Sequence, residues 1–194
     1  IPRDMWTQVV DIELPKIVAF ERPQGGDDAV AEAAALISNA KFPVILNGAG
    51  VVLANAFDAV AALAERLDAP VCVGYQHNDA FPGSHPLFAG PLGYNGSKAG
   101  MELISRADVV LALGTRLNPF STLPGYGIDY WPTNAKIIQV DINPDRIGLT
   151  KPVAVGIIGD AKKVAQGILG RLSESAGDAG RADRKNLIST TKSA

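Results

Sequence analysis

Residues 43–50 read PVILNGAG, a four-residue apolar run that leads into two glycines. A short continuous apolar run bounded by glycines fits a strand buried on both faces. The next stretch, 52–67, places Phe57, Val60, Ala64 and Leu67 on one face at helical spacing. A second short apolar run, APVCVG (69–74), follows. Strand, tight turn, helix and strand form a β-α-β unit, and such units imply a parallel sheet with helices on its faces.

Working outward, Lys41 to Pro43 end a preceding helix that starts near Asp27 and aligns Val30, Ala34 and Ile37. Ahead of it, residues 1–26 hold Pro2, Pro15 and Pro23 and read as an extended linker or edge segment. On the other side three more apolar runs read as strands: ADVVLALG (107–114), AKIIQVDI (135–142) and VAVGIIGD (153–160). That makes five strands. A helix is expected over 97–106, and another from Ala161 to Leu172 with Asp160 as its N-cap. The small polar stretch SESAGDAGRAD (173–183) reads as a flexible linker, and 184–194 as the start of a further helix. The fold class is therefore α/β: a doubly wound, mainly parallel sheet with helices on both faces. Ligands on such sheets bind beyond the carboxyl ends of the strands.

Composition narrows the function. The 194 residues are 47% apolar and 20% charged with a net charge of −2, so no electrostatic feature favours nucleic acid or a membrane surface. No apolar run approaches the ~20 residues of a membrane span. The lone Cys72 permits neither an internal disulfide nor a multi-cysteine zinc site, which fits a cytoplasmic location. The chain opens on Ile1 and stops at Ala194 without a terminating signal, as a piece of a larger polypeptide would.

Three glycine-rich turns are candidate sites. Gly48-Ala49-Gly50 joins strand to helix, as a pyrophosphate-binding turn does, but Leu53 stands where the full fingerprint needs a small residue. A purely connecting turn explains it equally well. GPLGYNG (90–96) spaces Gly90, Gly93 and Gly96 by three after a loop, without the lysine and hydroxyl of a Walker loop. GTRLN (114–118) offers Arg116 as a bidentate phosphate clamp or as a solvated surface charge. Asp141, at the end of a strand, suits a ribose or a turn cap, and Asp160 a helix cap. The 75–89 loop carries both histidines, His77 and His85, with no metal-ligand spacing. Its length points to function.

FPGSHPLFAGPLGYNGSKA, ADVVLALGTRLNPFS, AKIIQVDINPDRIG and VGIIGDAKKV, in this order, resemble the central domain of thiamine-diphosphate enzymes of the acetolactate-synthase-like branch. The resemblance spans about residues 27–172 and implies a Rossmann-like, DHS-type NAD/FAD-binding domain. It makes 1–26 the linker from an upstream pyrimidine-binding domain and 173–194 the linker toward a downstream diphosphate-binding domain. GYQHNDAFPGSHPL and LNPFSTLPGYGIDYWP look most like the sulfoacetaldehyde acetyltransferase family, which makes acetyl phosphate and sulfite from sulfoacetaldehyde and phosphate.

That resemblance implies thiamine diphosphate and Mg²⁺ bound outside this chain, no catalytic or metal-binding residue within it, and no activity for the piece alone. It implies partners in the flanking domains and in a homo-oligomer. Gln76, His77 and Asn78 become substrate-facing candidates. Gly48, Gly50, Gly93, Gly96, Gly114, Arg116, Asp141 and Asp160 fall where flavin-binding relatives hold their nucleotide, a pocket here vestigial or of FAD/ADP type. The branch carries a second arginine soon after Gly-x-Arg, and LNPFSTLPGYG lacks it, which argues against FAD. The alternatives are a FAD-binding acetolactate synthase or related thiamine-dependent decarboxylase or lyase, and a free-standing nucleotide-binding module.

Overall fold

The computed structural model describes residues 2–193. Ile1 and Ala194, the outer ends of the two expected linkers, lie outside the described residues. The elements run α1 (Asp27–Ser38), β1 (Pro43–Asn47), α2 (Ala49–Leu53), α3 (Phe57–Leu67), β2 (Val71–Gly74), β3 (Phe88–Leu92), α4 (Lys98–Ile104), β4 (Val109–Leu113), β5 (Lys136–Asp141), β6 (Val155–Ile158), α5 (Ala161–Leu169) and α6 (Arg181–Ser193). Six strands form one sheet in the order β3-β2-β1-β4-β5-β6. Every pairing between them is parallel. The order reverses between β1 and β4, the switch point at which open α/β sheets leave a crevice.

Strands β1, β2 and β4 are buried throughout because both faces are covered, whereas β6, at the sheet edge, alternates buried and exposed residues. On one face Ile45, Val71, Leu111, Ile138 and Ile157 pack under α1, α3 and α5. On the other Leu46, Cys72, Val110 and Ala112 pack with residues of α4 and α6 and with Leu117 and Tyr130 from the 114–135 segment. Helices α1, α3 and α5 turn their apolar residues to the sheet; α5, for example, buries Ala161, Val164, Ala165 and Ile168. Among the described residues no helix is long and apolar enough to cross a membrane.

Three expectations need correction. The sequence reading gave five strands and placed GPLGYNG after a loop. The stretch 88–92 is in fact an edge strand, with Gly90 at φ 104° and Pro91 within it. Proline is tolerated at an edge, where the missing N–H breaks no ladder. Its register shifts against β2 between Val71 and Cys72, so no regular alternation marks it in the sequence. Second, the helix expected over 52–67 is two helices, because Asn55 adopts a left-handed φ of 49° between them. Third, residues 173–183 are not a loose tether. They turn back so that α6 packs beside α4, with Ile188 in the core.

Arg184 explains that third result. It is fully buried, and all five of its N–H groups donate to backbone carbonyls: Leu67, Asp68, Lys41, Gly177 and Ala179. Those acceptors belong to the α1–β1 turn, the end of α3 and the 177–179 turn. Burial lowers its pKa and the nearby Asp68 raises it. At the other end of the chain, Val9, Ile12, Leu14, Ile17 and Phe20 are 70–99% exposed. The chain joins the body near Arg22, where Asp160 N–H donates to Pro23 O (2.8 Å) and Gln24 pairs with Gly159.

Candidate functional site

A cavity of about 580 Å³ opens at the carboxyl ends of the strands. Its floor is the contact between two glycine turns. A Cβ on Gly50 would lie 2.5 Å from Gly114 Cα, and one on Gly48 would lie 2.6 Å from Gly114 O. Gly114 itself has φ 58°. Gly48 N–H donates to Leu113 O (3.0 Å) and Gly50 N–H to Gly114 O (2.9 Å). These glycines are therefore required by the approach of β1 to β4, and two amides that a phosphate-binding turn would present already have protein acceptors.

Positive charge comes from arginines instead. Arg116 stands exposed on the turn after β4. Its neighbour Leu117 is buried with a left-handed φ of 52°. A leucine in that region is strained by roughly 1–3 kcal/mol. The strain is held by Thr115 Oγ1, which accepts from Leu117 N–H (3.2 Å), and by Thr150 Oγ1, which donates to Leu117 O (3.0 Å). This backbone turn sends Leu117 into the core and leaves Arg116 at the cavity. Arg146 lines the same cavity from the turn after β5, and Arg22 from the incoming segment. Among the described residues neither Arg116 nor Arg146 has a carboxylate partner, whereas Arg22 pairs with Asp160 at 2.9 Å.

The acids divide in role. Asp160 Oδ1 accepts from Lys162 and Lys163 N–H (3.0 and 3.2 Å), capping α5, and its other oxygen holds Arg22. Both oxygens are thus engaged by the protein. Asp141 uses Oδ1 to accept from Asn143 N–H (2.9 Å) and keeps its second oxygen for another donor.

Six of the eight expected nucleotide residues line the cavity: Gly48, Gly50, Gly114, Arg116, Asp141 and Asp160. Gly93 and Gly96 do not. Gly93 (φ 91°) lies against the 118–121 turn, where a Cβ would come 2.1 Å from Phe120 O, and Gly96 O accepts from Tyr126 Oη (3.1 Å). GPLGYNG therefore fastens one loop to another. Gln76 and His77 line the cavity and Asn78 does not. Asn47 Nδ2 holds their loop by donating to Ala80 O (3.0 Å), while its buried Oδ1 has no protein partner.

Sequence reasoning missed Arg22 and Arg146. Arg22 lay in a segment read as linker, and Arg146 inside the quoted DINPDR turn, where only spacing from Asp141 marked it. His85 sits away from the cavity, with Nε2 3.2 Å from Glu65. Burial pushes the Cys72 thiol up to about 12, so it is no nucleophile.

Residues 30–168 match the family described as "thiamine pyrophosphate enzyme, central domain". The chain belongs to the thiamine pyrophosphate enzyme central-domain family. Among its relatives, sulfoacetaldehyde acetyltransferase of Roseovarius nubinhibens is 79% identical over 194 residues, covering 100% of this chain and 32% of that protein. A probable sulfoacetaldehyde acetyltransferase of Rhizobium meliloti is 74% identical, over 100% of this chain and 33% of that protein. The chain thus spans about a third of the length of these relatives. A crystal structure of a putative thiamin diphosphate-dependent enzyme from Mycobacterium smegmatis superimposes with a TM-score of 0.66 at 28% identity, covering 81% of this chain and 30% of that one. Among the described residues of this central domain, no three His, Cys, Asp or Glu side chains converge to hold a metal ion.

Proposed function

We propose that this chain is the central domain of a sulfoacetaldehyde acetyltransferase, which converts sulfoacetaldehyde and phosphate to acetyl phosphate and sulfite. The observation that carries this reading is 79% identity running the full 194 residues, through both long loops. In the whole protein thiamine diphosphate, held with Mg²⁺ by the flanking domains, supplies the carbanion chemistry. The piece alone is then inactive. The exposed apolar residues between Val9 and Phe20 support packing against those flanking domains or against a second subunit.

The central domain's own contribution is a binding pocket. Arg116 and Arg146, which have no acid partner among the described residues, and the second oxygen of Asp141 suit an ADP-type ligand: guanidinium groups for phosphate, carboxylate for a ribose hydroxyl. The absence of the branch's second arginine after Arg116 weighs against full FAD. Gln76 and His77, at the same cavity, are kept as substrate-facing candidates for the assembled enzyme.

The test is a coupled assay of the whole protein. Sulfite release from sulfoacetaldehyde must depend on phosphate and match acetyl phosphate formation. Acetolactate from pyruvate, with no sulfite release, overturns this reading in favour of the synthase alternative. Flavin absorbance in the purified protein would favour FAD, and His77→Ala with unchanged turnover removes the substrate-facing role.

A further inference from the structure

Gln139 lies in the middle of β5, 1% exposed, between Ala112 of β4 and Gly156 of β6. Both neighbours are small. A Cβ on Gly156 would lie 2.5 Å from Ile147 Cγ2, so glycine there lets the 143–148 turn fold down over the strand. Into that space Gln139 projects its amide. Nε2 donates to Thr115 O and to Arg146 O, each at 3.1 Å, and Oε1 accepts from Gly148 N–H at 2.8 Å. Two carbonyls and one N–H admit only this orientation of the amide.

The consequence concerns the two arginines. Thr115 is the residue before Arg116, and Arg146 is held by its own carbonyl. One buried side chain thereby fixes both turns that present a guanidinium group without an acid partner to the cavity. The turns follow the neighbouring strands β4 and β5, and Thr150 Oγ1 ties them at a second point through Leu117 O (3.0 Å), while Gln139 bonds the main chain on both sides from within the sheet.

We propose that Gln139 is a positioning residue that sets the spacing of Arg116 and Arg146, so that the two guanidinium groups together span a diphosphate. This rests on the ADP-type reading of the pocket and adds a reason for two phosphates over one. A single phosphate engages one arginine bidentately and is indifferent to where the other stands. A diphosphate engages both and depends on their separation. The fixed frame also removes the ordering cost that two independent loops would carry into binding.

The experiment is titration calorimetry of the whole protein with ADP, AMP and inorganic pyrophosphate, for wild type and Gln139→Met. The wild type should prefer ADP to AMP by about tenfold or more. Gln139→Met, similar in length but unable to bridge the turns, should bring that preference to within about threefold while changing AMP affinity little. Arg116→Gln and Arg146→Gln should each abolish it. If Gln139→Met fails to fold, Gln139→Asn keeps the amide, shortens its reach by one methylene, and carries the same expectation. Equal loss of ADP and AMP binding in the Gln139 variant means a merely structural role and overturns the proposal alone. A wild type that binds neither ADP nor pyrophosphate overturns the ADP-type reading, and this proposal with it.

Discussion

Replacing Arg184 by methionine should release the C-terminal segment while leaving the sheet folded. Methionine keeps most of the apolar stem and removes five N–H···O=C bonds of 2.5–3.0 Å. Hydrogen bonds from a charged donor contribute about 1.5–3 kcal/mol each, and burying the guanidinium costs several kcal/mol in return. Five bonds against that penalty, with five carbonyls left short of a donor, put the net loss at about 3–5 kcal/mol. An opening equilibrium would then rise roughly a hundred- to several-thousandfold. The loss should be local. Asp68 still pairs with Arg181 (3.2 Å) and Lys185 (3.4 Å), but both of those cations travel with α6. Amide hydrogen exchange is the assay: protection should fall across 177–191 and persist in β1, β4 and β5, with new protease cleavage between 173 and 183. Arg184→Lys should not rescue, because a lysine has three donors on a point charge and no planar fork. Unchanged protection of α6 in the methionine variant would refute the reasoning.

Two further predictions concern the body of the domain. Gly114→Ala forces a methyl group to within 2.5 Å of Gly50 Cα at a φ of 58°, so it should destabilise by roughly 2–5 kcal/mol in urea unfolding; a loss below 1 kcal/mol would mean that the turns separate easily. Burial raises the pKa of Cys72 from 9.0 and of Tyr130 from 10.0, each to about 12. Both are neutral when folded, so their stabilisation is complete below pH 9 and falls as pH climbs toward 12, by at most about 1.4 kcal/mol per pH unit per group. Cys72→Ala should make the stability–pH curve shallower from pH 9 upward, and an unchanged slope would show that Cys72 ionises as readily folded as unfolded.

Much of this architecture was legible because it rests on local chemistry. Strands β1, β2, β4 and β5 are covered on both faces over most of their length, so their residues form short apolar runs, and β6 keeps such a run although one of its faces is exposed. Strand β3 has the opposite character: glycine and proline inside it, an irregular register, and an open edge. Its stability comes from β2 and α4, which no local pattern encodes. The break at Asn55 is likewise a single backbone turn, and its one local signal is asparagine's tolerance of the left-handed region. In the 173–183 segment small polar residues do suggest mobility. The overriding interaction is one arginine eleven residues after Ser173 that reaches carbonyls more than a hundred positions earlier in the chain.

The site divides the same way. Gly48, Gly50, Gly114, Arg116 and Asp141 follow strand ends, where the fold gathers ligand-binding groups, and they could be named in advance. Arg22 and Arg146 arrive through tertiary contacts: an ion pair to Asp160 and a buried amide from Gln139. The misplacement of Gly93 and Gly96 has its own lesson. Glycine spacing marks where backbone needs freedom, and here the backbone meets another loop and not the cavity.

The glycine-on-glycine contact between Gly50 and Gly114 also bears on how such domains age. Each Cα fills the space that the other's side chain would need, so neither position can change alone without parting β1 from β4. Folding by itself is enough to keep both glycines through any loss of ligand. Arg116 is under no such restraint, because its side chain supports nothing in the core. In descendants of this fold that have given up their nucleotide, the glycine signature should outlast the arginine, and a search tuned to glycines would keep reporting a cofactor after it had gone.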